Sequence, residues 1–433
     1  MEQANTVISL FSGAMGLDLG LEKADFSIRV AIDYNKAAVA TIRGARQKIP
    51  VIDRKIETVP TIEILEKARL NVGEATIVTG GPACQTFSTA GRRGSVSDPR
   101  GVMFREFLRV VSETQPRFFI MENVKGLLSA AIRHRPLKER GAGYPPLEPD
   151  EELGSAFKLI LKELKATGYY VLFGLLNAAD FGVPQTRERL IILGSRDGEQ
   201  LNMPEATHSN NPGDSKLPWV TLREGLQGLL DPKPSYNEFS EEVKKYLMLI
   251  PEGGNWRSLA SEIQEKAIGG AYNSWGGRSG FLRRLSWEKP SPALTTNPNG
   301  KATMLCHPTE LRPLSVCEYA KLQQFPDNWK FAGSINQRYT QIGNAVPIGL
   351  GEAIGKAIRS AMHTDKSQTR LGIVSCASQE LLDRICHRPK TIINPIKMRK
   401  IKDLNATQEW LNGIQRTRSD ILEYIDHENN KVI

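Results

Sequence analysis

Several things are scarce in this 433-residue chain, and each scarcity removes a class of protein. Cysteine occurs five times, at Cys84, Cys306, Cys317, Cys376 and Cys386, an odd and scattered set without a CxxC pair. That spacing indicates neither a disulfide framework nor a zinc site, so no metal is expected and a reducing cytoplasm fits. No apolar run is long enough to span a bilayer, and the opening Met1-Glu2-Gln3-Ala4-Asn5 lacks the basic start and apolar centre of a signal peptide. A cytoplasmic protein with no membrane partner is therefore expected. Internal repeats and low-complexity tracts are missing. So is the G-x-G-x-x-G spacing of a dinucleotide site, which counts against a nicotinamide dehydrogenase. What the chain does have is length for two domains and a net charge of +9 with a pI near 9.2, which allows a polyanionic partner without requiring one.

The order of elements is that of an α/β protein. Thr6-Val7-Ile8-Ser9-Leu10 reads as a strand running into Phe11-Ser12-Gly13-Ala14-Met15-Gly16, a glycine turn that opens a helix. Such a turn lets a ligand approach the backbone and offers it free N–H groups. A second strand, Ile28 to Ile32, ends at Asp33, an acid placed either to accept from ribose hydroxyls or to cap the next helix. A third strand, Ala75 to Val78, leads into Thr79-Gly80-Gly81-Pro82-Ala83-Cys84-Gln85. A helix over 102–113 and a strand over 117–121 follow, ending at Glu122-Asn123-Val124. Next come a helix over 153–167, a strand over 169–176, and Gln185-Thr186-Arg187-Glu188-Arg189 before the strand 190–193. If that segment is extended, Gln185, Arg187 and Arg189 share one face. Alternating elements of this kind specify a parallel sheet covered on both sides.

From about Gly198 the texture becomes rich in Pro, Gly, Asn and Ser. Four of the six tryptophans, Trp219, Trp256, Trp275 and Trp287, fall before residue 300, with Arg278, Arg283 and Arg284 among them. A separate loop-rich domain is expected, its tryptophans serving either a nucleic-acid surface or a small core. Order returns with a helix over 315–324 and with Gly343-Asn344-Ala345-Val346-Pro347, which opens a last helix to about Met362. Between Asp365 and Lys402 nine Lys or Arg face three acids, a tail suited to phosphates or to standing free in solvent.

Cys84 organises the rest. It lies just past the carboxyl end of a strand, where open α/β sheets place their ligands, and fixed backbone there suits a nucleophile. A lone cysteine in a tight turn is more often a small buried residue; its neighbours along the chain decide otherwise. Glu122 leaves another strand at the same end of the sheet.

These residues resemble the cytosine-C5 DNA methyltransferases of bacterial restriction–modification type, over roughly residues 5–362 and in the family's order. The Phe11–Gly20 loop looks like the S-adenosylmethionine loop. Gly80-Gly81-Pro82-Ala83-Cys84-Gln85 looks like the catalytic Pro-Cys loop, Glu122-Asn123-Val124 like the Glu-Asn-Val motif, Gln185, Arg187 and Arg189 like Gln-x-Arg-x-Arg, and Gly343–Pro347 like the last motif. Met15 stands where glycine is usual, Ala83 where proline is usual, and Cys317 and Lys321 where arginines are usual. Lys55 stands where the family has an acid towards the adenine amine, with Asp53 near but out of register.

The resemblance implies a Rossmann-like, S-adenosylmethionine-dependent methyltransferase fold with a largely parallel sheet and a smaller loop-rich target-recognition domain. It implies a division into 1–197 (catalytic and cofactor-binding), 198–311 (target recognition), 312–362 (return to the catalytic domain) and 363–433 (basic extension). The implied catalytic residues are Cys84, adding to C6 of a flipped cytosine, Glu122 on N3 and the exocyclic amine, and Arg187 on the O2 side. The cofactor, S-adenosyl-L-methionine, is expected to meet Phe11, Ser12, Gly13, Gly16, Asp33, Gly80, Asn344 and Val346. Duplex DNA is the expected partner of a monomer, with a restriction endonuclease cutting the same site encoded elsewhere. Two alternatives stand beside this: the tRNA-modifying branch of the family, and a DNA-binding relic with a decayed pocket.

Overall fold

A computed structural model describes residues 5–82, 102–136, 139, 144–273 and 278–386. Cys84 and Trp275 lie outside the described residues.

Runs of β-branched and aromatic residues form the strands of one eight-stranded sheet: β1 (Thr6–Leu10), β2 (Ser27–Ile32), β3 (Val51–Ile52), β4 (Ile77–Gly80), β5 (Phe118–Val124), β6 (Tyr170–Asn177), β8 (Glu188–Ser195) and β12 (Val374–Cys376). Their order across the sheet is β12-β6-β8-β5-β4-β1-β2-β3. Strands β1 to β5 are mutually parallel where they pair, and only β8 runs against its neighbours β5 and β6. From β1 the chain goes one way to β2 and β3 and the other way to β4 and β5. The crevice outside the carboxyl ends of β1 and β4 is therefore the switch point where doubly wound sheets bind ligands.

Apolar helix faces cover both sides of the sheet. On one side α1 (Gly16–Lys23) packs against α11 (Ile348–Ala361), with α2 (Lys36–Ala45), α9 (Val316–Leu322) and α10 (Ile335–Asn344) around them. On the other lie α3 (Thr61–Ala68), α4 (Val102–Thr114), α5 (Ser155–Ala166) and α12 (Gln379–Cys386). The α1–α11 contact is close: a Cβ on Gly16 would stand 2.2 Å from the Val346 carbonyl oxygen. The segment that opens α11 thus returns to the first glycine turn.

The loop-rich stretch has a small core of its own, from Phe239 to Cys306, with Trp256 buried at its middle. It includes α7 (Glu241–Leu247) and α8 (Ser261–Ile268). Its flanks belong to the main body. The pairs β9 (His208–Ser209) with β10 (Leu217–Pro218) and β7 (Gln185–Thr186) with β11 (Ser291–Pro292), together with α6 (Leu222–Leu226), lie there. Leu201, Leu222, Leu285, Leu294 and Leu305 join the main core. Trp256 therefore serves a core, stacked by Arg257 and Arg278, while Trp219 is tied to Asp180 and Trp287 packs on His307.

Two expectations are corrected. The strand bearing the Cys84 loop is the fourth, not the third, because Val51–Ile52 pairs with β2 before it; two residues are too short a signal to read. And residue 362 does not divide a folded domain from an appendage. Beyond it β12 pairs in parallel with β6, and Leu381, Leu382 and Ile385 of α12 enter the core. That strand covers the edge of β6, which would otherwise be a free template for pairing.

Candidate active site

The site grows from the carboxyl edge of the sheet. β1 ends in the turn Phe11–Met15, in which Phe11, Gly13 and Met15 all have positive φ, 53°, 52° and 67°. That region is strained for side chains with a Cβ. It explains why glycine is the usual residue at position 15, and Met15 is held there fully buried. Ser12 N donates to the Ile32 carbonyl at 3.1 Å, stitching the turn to the end of β2. Gly13 N donates to Asp33 Oδ2 at 2.8 Å, and Asn35 N donates to Asp33 Oδ1 at 2.8 Å. Asp33 is not the cap of α2; Asn35 is, accepting from Ala37 and Ala38. Each Asp33 oxygen keeps acceptor capacity.

Gly80, at the end of β4, lies against Phe11. Gly16 lies against Val346. Asn344 is exposed at the end of α10, and the cap of α11 is Pro347, so Asn344 does not cap that helix. The turn after β1 thus brings Phe11, Ser12, Gly13, Asp33 and Gly80 together, with Gly16 beside it against Val346.

Two residues there were misplaced or passed over in the sequence. Asp53, not Lys55, is the residue that directly follows β3. Its Oδ2 pairs with Lys36 at 2.9 Å, while its Oδ1 is buried without a partner among the described residues. Tyr34, next to Asp33, is 58% exposed. An aromatic face, a carboxylate with free lone pairs and an orphaned buried acceptor, set beside the N–H groups of a glycine turn, fit a nucleoside whose ring carries an amine. The residues present thus suit the adenosyl part of S-adenosylmethionine.

The second half of the site lies at β4, β5 and β8. Because β8 is antiparallel, it begins where β5 ends, and its register sets Ile191 opposite Glu122 and Arg189 opposite Val124. Arg189 is then the diagonal neighbour of Glu122 on one face, and its Nε makes an ion pair with Glu122 Oε1 at 2.6 Å. A Cβ on Gly81 would stand 2.9 Å from Glu122 Oε2, and Asn123 Nδ2 donates to the Pro82 carbonyl at 3.2 Å. Glu122 and Asn123 therefore flank the turn that leads, two residues on, to Cys84.

Arg187 does something else. It is 2% exposed; Nη1 donates to the Leu294 carbonyl at 3.0 Å and Nη2 to the Gly343 carbonyl at 2.7 Å. Burial first, and Arg189 second, press its pKa down. The geometry thus does not favour the expectation that Arg187 faces the base, because its guanidinium is committed to backbone. Gln185 is also fully buried, joining Gln323 and the Leu294 N–H. Arg189 is the member of the triplet that reaches Glu122.

The largely parallel, doubly wound sheet, with a carboxylate–arginine pair at its carboxyl edge, is an α/β fold of the Rossmann-like kind. Comparison with known proteins is more specific: residues 5–360 match the family model of the C-5 cytosine-specific DNA methylases. The chain belongs to that family and is a DNA (cytosine-5-)-methyltransferase. It is 35% identical over 354 residues to the type II methyltransferase M.Sau96I of Staphylococcus aureus, covering 81% of this chain and 75% of that one. It is 37% identical over 359 residues to M.PspPI of Psychrobacter sp. (strain TA137), covering 82% and 78%. Among solved structures, a prophage-encoded E. coli protein described as a DNA modification methyltransferase shares the fold at a TM-score of 0.55 and 24% identity, over 82% of this chain and 99% of that one. No helix among the described residues is long and apolar enough to cross a membrane.

Proposed function

We propose that this enzyme is the modification methyltransferase of a type II restriction–modification system, acting on a cytosine flipped out of a specific duplex DNA sequence. The observation that carries the reading is the Glu122 carboxylate, held by Arg189 against the Gly81-Pro82 turn that leads to Cys84. The methyl donor is S-adenosyl-L-methionine, which when bound supplies an electrophilic methyl group. Asp33 would hold its ribose, Asp53 its adenine amine and Tyr34 its ring face, with Phe11, Ser12, Gly13, Gly16, Gly80, Asn344 and Val346 completing the crevice.

C5 of cytosine is a weak nucleophile. Addition of the Cys84 thiolate to C6 turns C5 into an enamine-like carbon, which takes the methyl group. The electron density pushed towards N3 is met by Glu122, whose acid form gives its proton to N3 while its other oxygen accepts from the exocyclic amine. Arg189, already on Glu122, fixes that carboxylate and turns its remaining N–H groups to the O2 side of the ring. Loss of the C5 proton and expulsion of the thiolate then restore the ring. Extrusion costs a few kcal/mol, offset by phosphate contacts. Residues 198–311 would read the DNA, with the small Trp256 core as their scaffold. The enzyme would act as a monomer, and a restriction endonuclease cutting the same site would be its cognate partner.

Transfer of tritiated methyl from S-adenosylmethionine to duplex DNA or to tRNA tests the reading, with bisulfite sequencing to locate the product. It predicts 5-methylcytosine at one short sequence in duplex DNA. Incorporation into tRNA alone would contradict it.

A further inference from the structure

Two of the strands that carry the site end side by side. β4 and β5 pair in parallel with Gly80 opposite Met121, so the turn after β4 starts beside Glu122 and Asn123. Successive strand residues face opposite sides. Glu122 meets the turn at Gly81, where a Cβ would stand 2.9 Å from its Oε2, and Asn123 meets it one residue further, at Pro82. The Glu122 contact belongs to the mechanism above; the Asn123 contact has no part in it.

Asn123 is 7% exposed. Its Oδ1 accepts from Val124 N at 2.9 Å, and its Nδ2 donates to the Pro82 carbonyl at 3.2 Å. These two bonds decide which way the amide points, since the reverse would set N–H against N–H and oxygen against oxygen. Pro82 has no N–H, so its carbonyl is the one group by which its backbone can be hydrogen-bonded. Among the described residues Asn123 is the donor to that carbonyl.

Ala83 and then Cys84 follow. A proline at 83 would hold its own φ near about −65° and confine the residue before it to extended backbone. Alanine does neither. The Pro82 carbonyl, however, lies in one plane with the Ala83 nitrogen, because the peptide bond is rigid. A hydrogen bond that fixes this carbonyl therefore fixes the plane from which the chain sets out towards Cys84.

We propose that Asn123 is a positioning residue for Cys84, its side-chain amide orienting the Pro82–Ala83 peptide as a proline ring at 83 would. This rests on the reading of Cys84 as the nucleophile. Placement matters most to bond formation, where an error of about 1 Å can cost about 100-fold, and little to the methyl donor, which meets other residues.

A double-mutant cycle in the full chain tests this, read as the single-turnover rate of methyl transfer to the duplex DNA that the wild type methylates, beside the Kd for S-adenosylhomocysteine. Asn123→Ala should slow transfer about 30-fold to 100-fold while the Kd changes less than about twofold. In an Ala83→Pro background the same substitution should cost less than about tenfold, because the ring supplies the missing restraint. If Asn123→Ala does not fold, Asn123→Asp, which keeps the acceptor for Val124 N and loses the donor to Pro82, takes its place in the cycle. An equal cost in both backgrounds overturns the inference, as does a rate within about twofold of the wild type, or a rate and donor affinity that fall together. An inactive Ala83→Pro enzyme overturns it as well, since the ring would then not fit the path. Turnover by Cys84→Ser removes the nucleophile reading, and this inference with it; an inactive Cys84→Ser enzyme beside a fast Asn123→Ala enzyme removes this inference alone.

Discussion

Arg189 Nε stands 2.6 Å from Glu122 Oε1, and both side chains are mostly buried, 13% and 12% exposed. The pair exists because β8 alone runs antiparallel to β5, so the start of one strand meets the end of the other. Removing the arginine leaves a carboxylate without the partner that orients it. Arg189→Ala should therefore lower kcat by about 100-fold or more while S-adenosylhomocysteine still binds. Single-turnover kinetics beside a binding isotherm check this.

Arg187→Ala should behave differently. It strips the partners from two buried carbonyls, Leu294 and Gly343, at a cost of about 1–3 kcal/mol each. The expected loss is in folding stability, read as a lower midpoint in urea, and in activity only as far as the fold is lost. A variant of normal stability with no turnover would return Arg187 to the chemistry.

The difference between these arginines shows where the sequence stops being legible. Their spacing puts Gln185, Arg187 and Arg189 on one face, and the strands around them are plain from their apolar, β-branched runs. Which arginine meets the acid depends on partners 107 and 156 residues away from Arg187, and on strand register, neither of which is local. The same holds for Asp53: the strand before it is two residues long and exists through its pairing with Ala31 and Ile32. β12 has only three residues, too short a run to read, and its pairing with β6 makes it a strand. Asn35, by contrast, caps α2 as an Asn before a helical run should.

Asp53→Ala removes a buried acceptor from the proposed adenine end of the crevice. The Kd for S-adenosylhomocysteine should rise about tenfold, roughly the worth of one hydrogen bond to a charged group, with kcat at saturating donor little changed. Lys55→Ala should change neither. A titration of each variant compares them.

Gly16→Ala puts a methyl group 2.2 Å from the Val346 carbonyl oxygen, where backbone faces backbone and neither side chain can yield. The contact between α1 and α11 must open, at about 1–3 kcal/mol or more. Lower thermal stability and loss of donor binding should appear together. A stable, fully binding variant would mean that the return of the last helix does not shape the crevice.

Truncation after Asp365 removes β12 and α12, uncovering the edge of β6 and the apolar residues beneath Leu381 and Leu382. The shortened protein should melt earlier and aggregate on concentration. Light scattering during a melt measures both.

The account turns on the sulfur of Cys84 bonding to the pyrimidine ring that Glu122 grips. The most direct measurement is to trap the enzyme, with S-adenosylmethionine, on an oligonucleotide carrying 5-fluorocytosine at a site it methylates. After C5 is methylated, fluorine cannot leave as the proton does, so the thioether should persist, and peptide mapping should find it on Cys84 in the wild type and in no Cys84→Ser sample. A methylated site with no adduct, or an adduct on another residue, would contradict it.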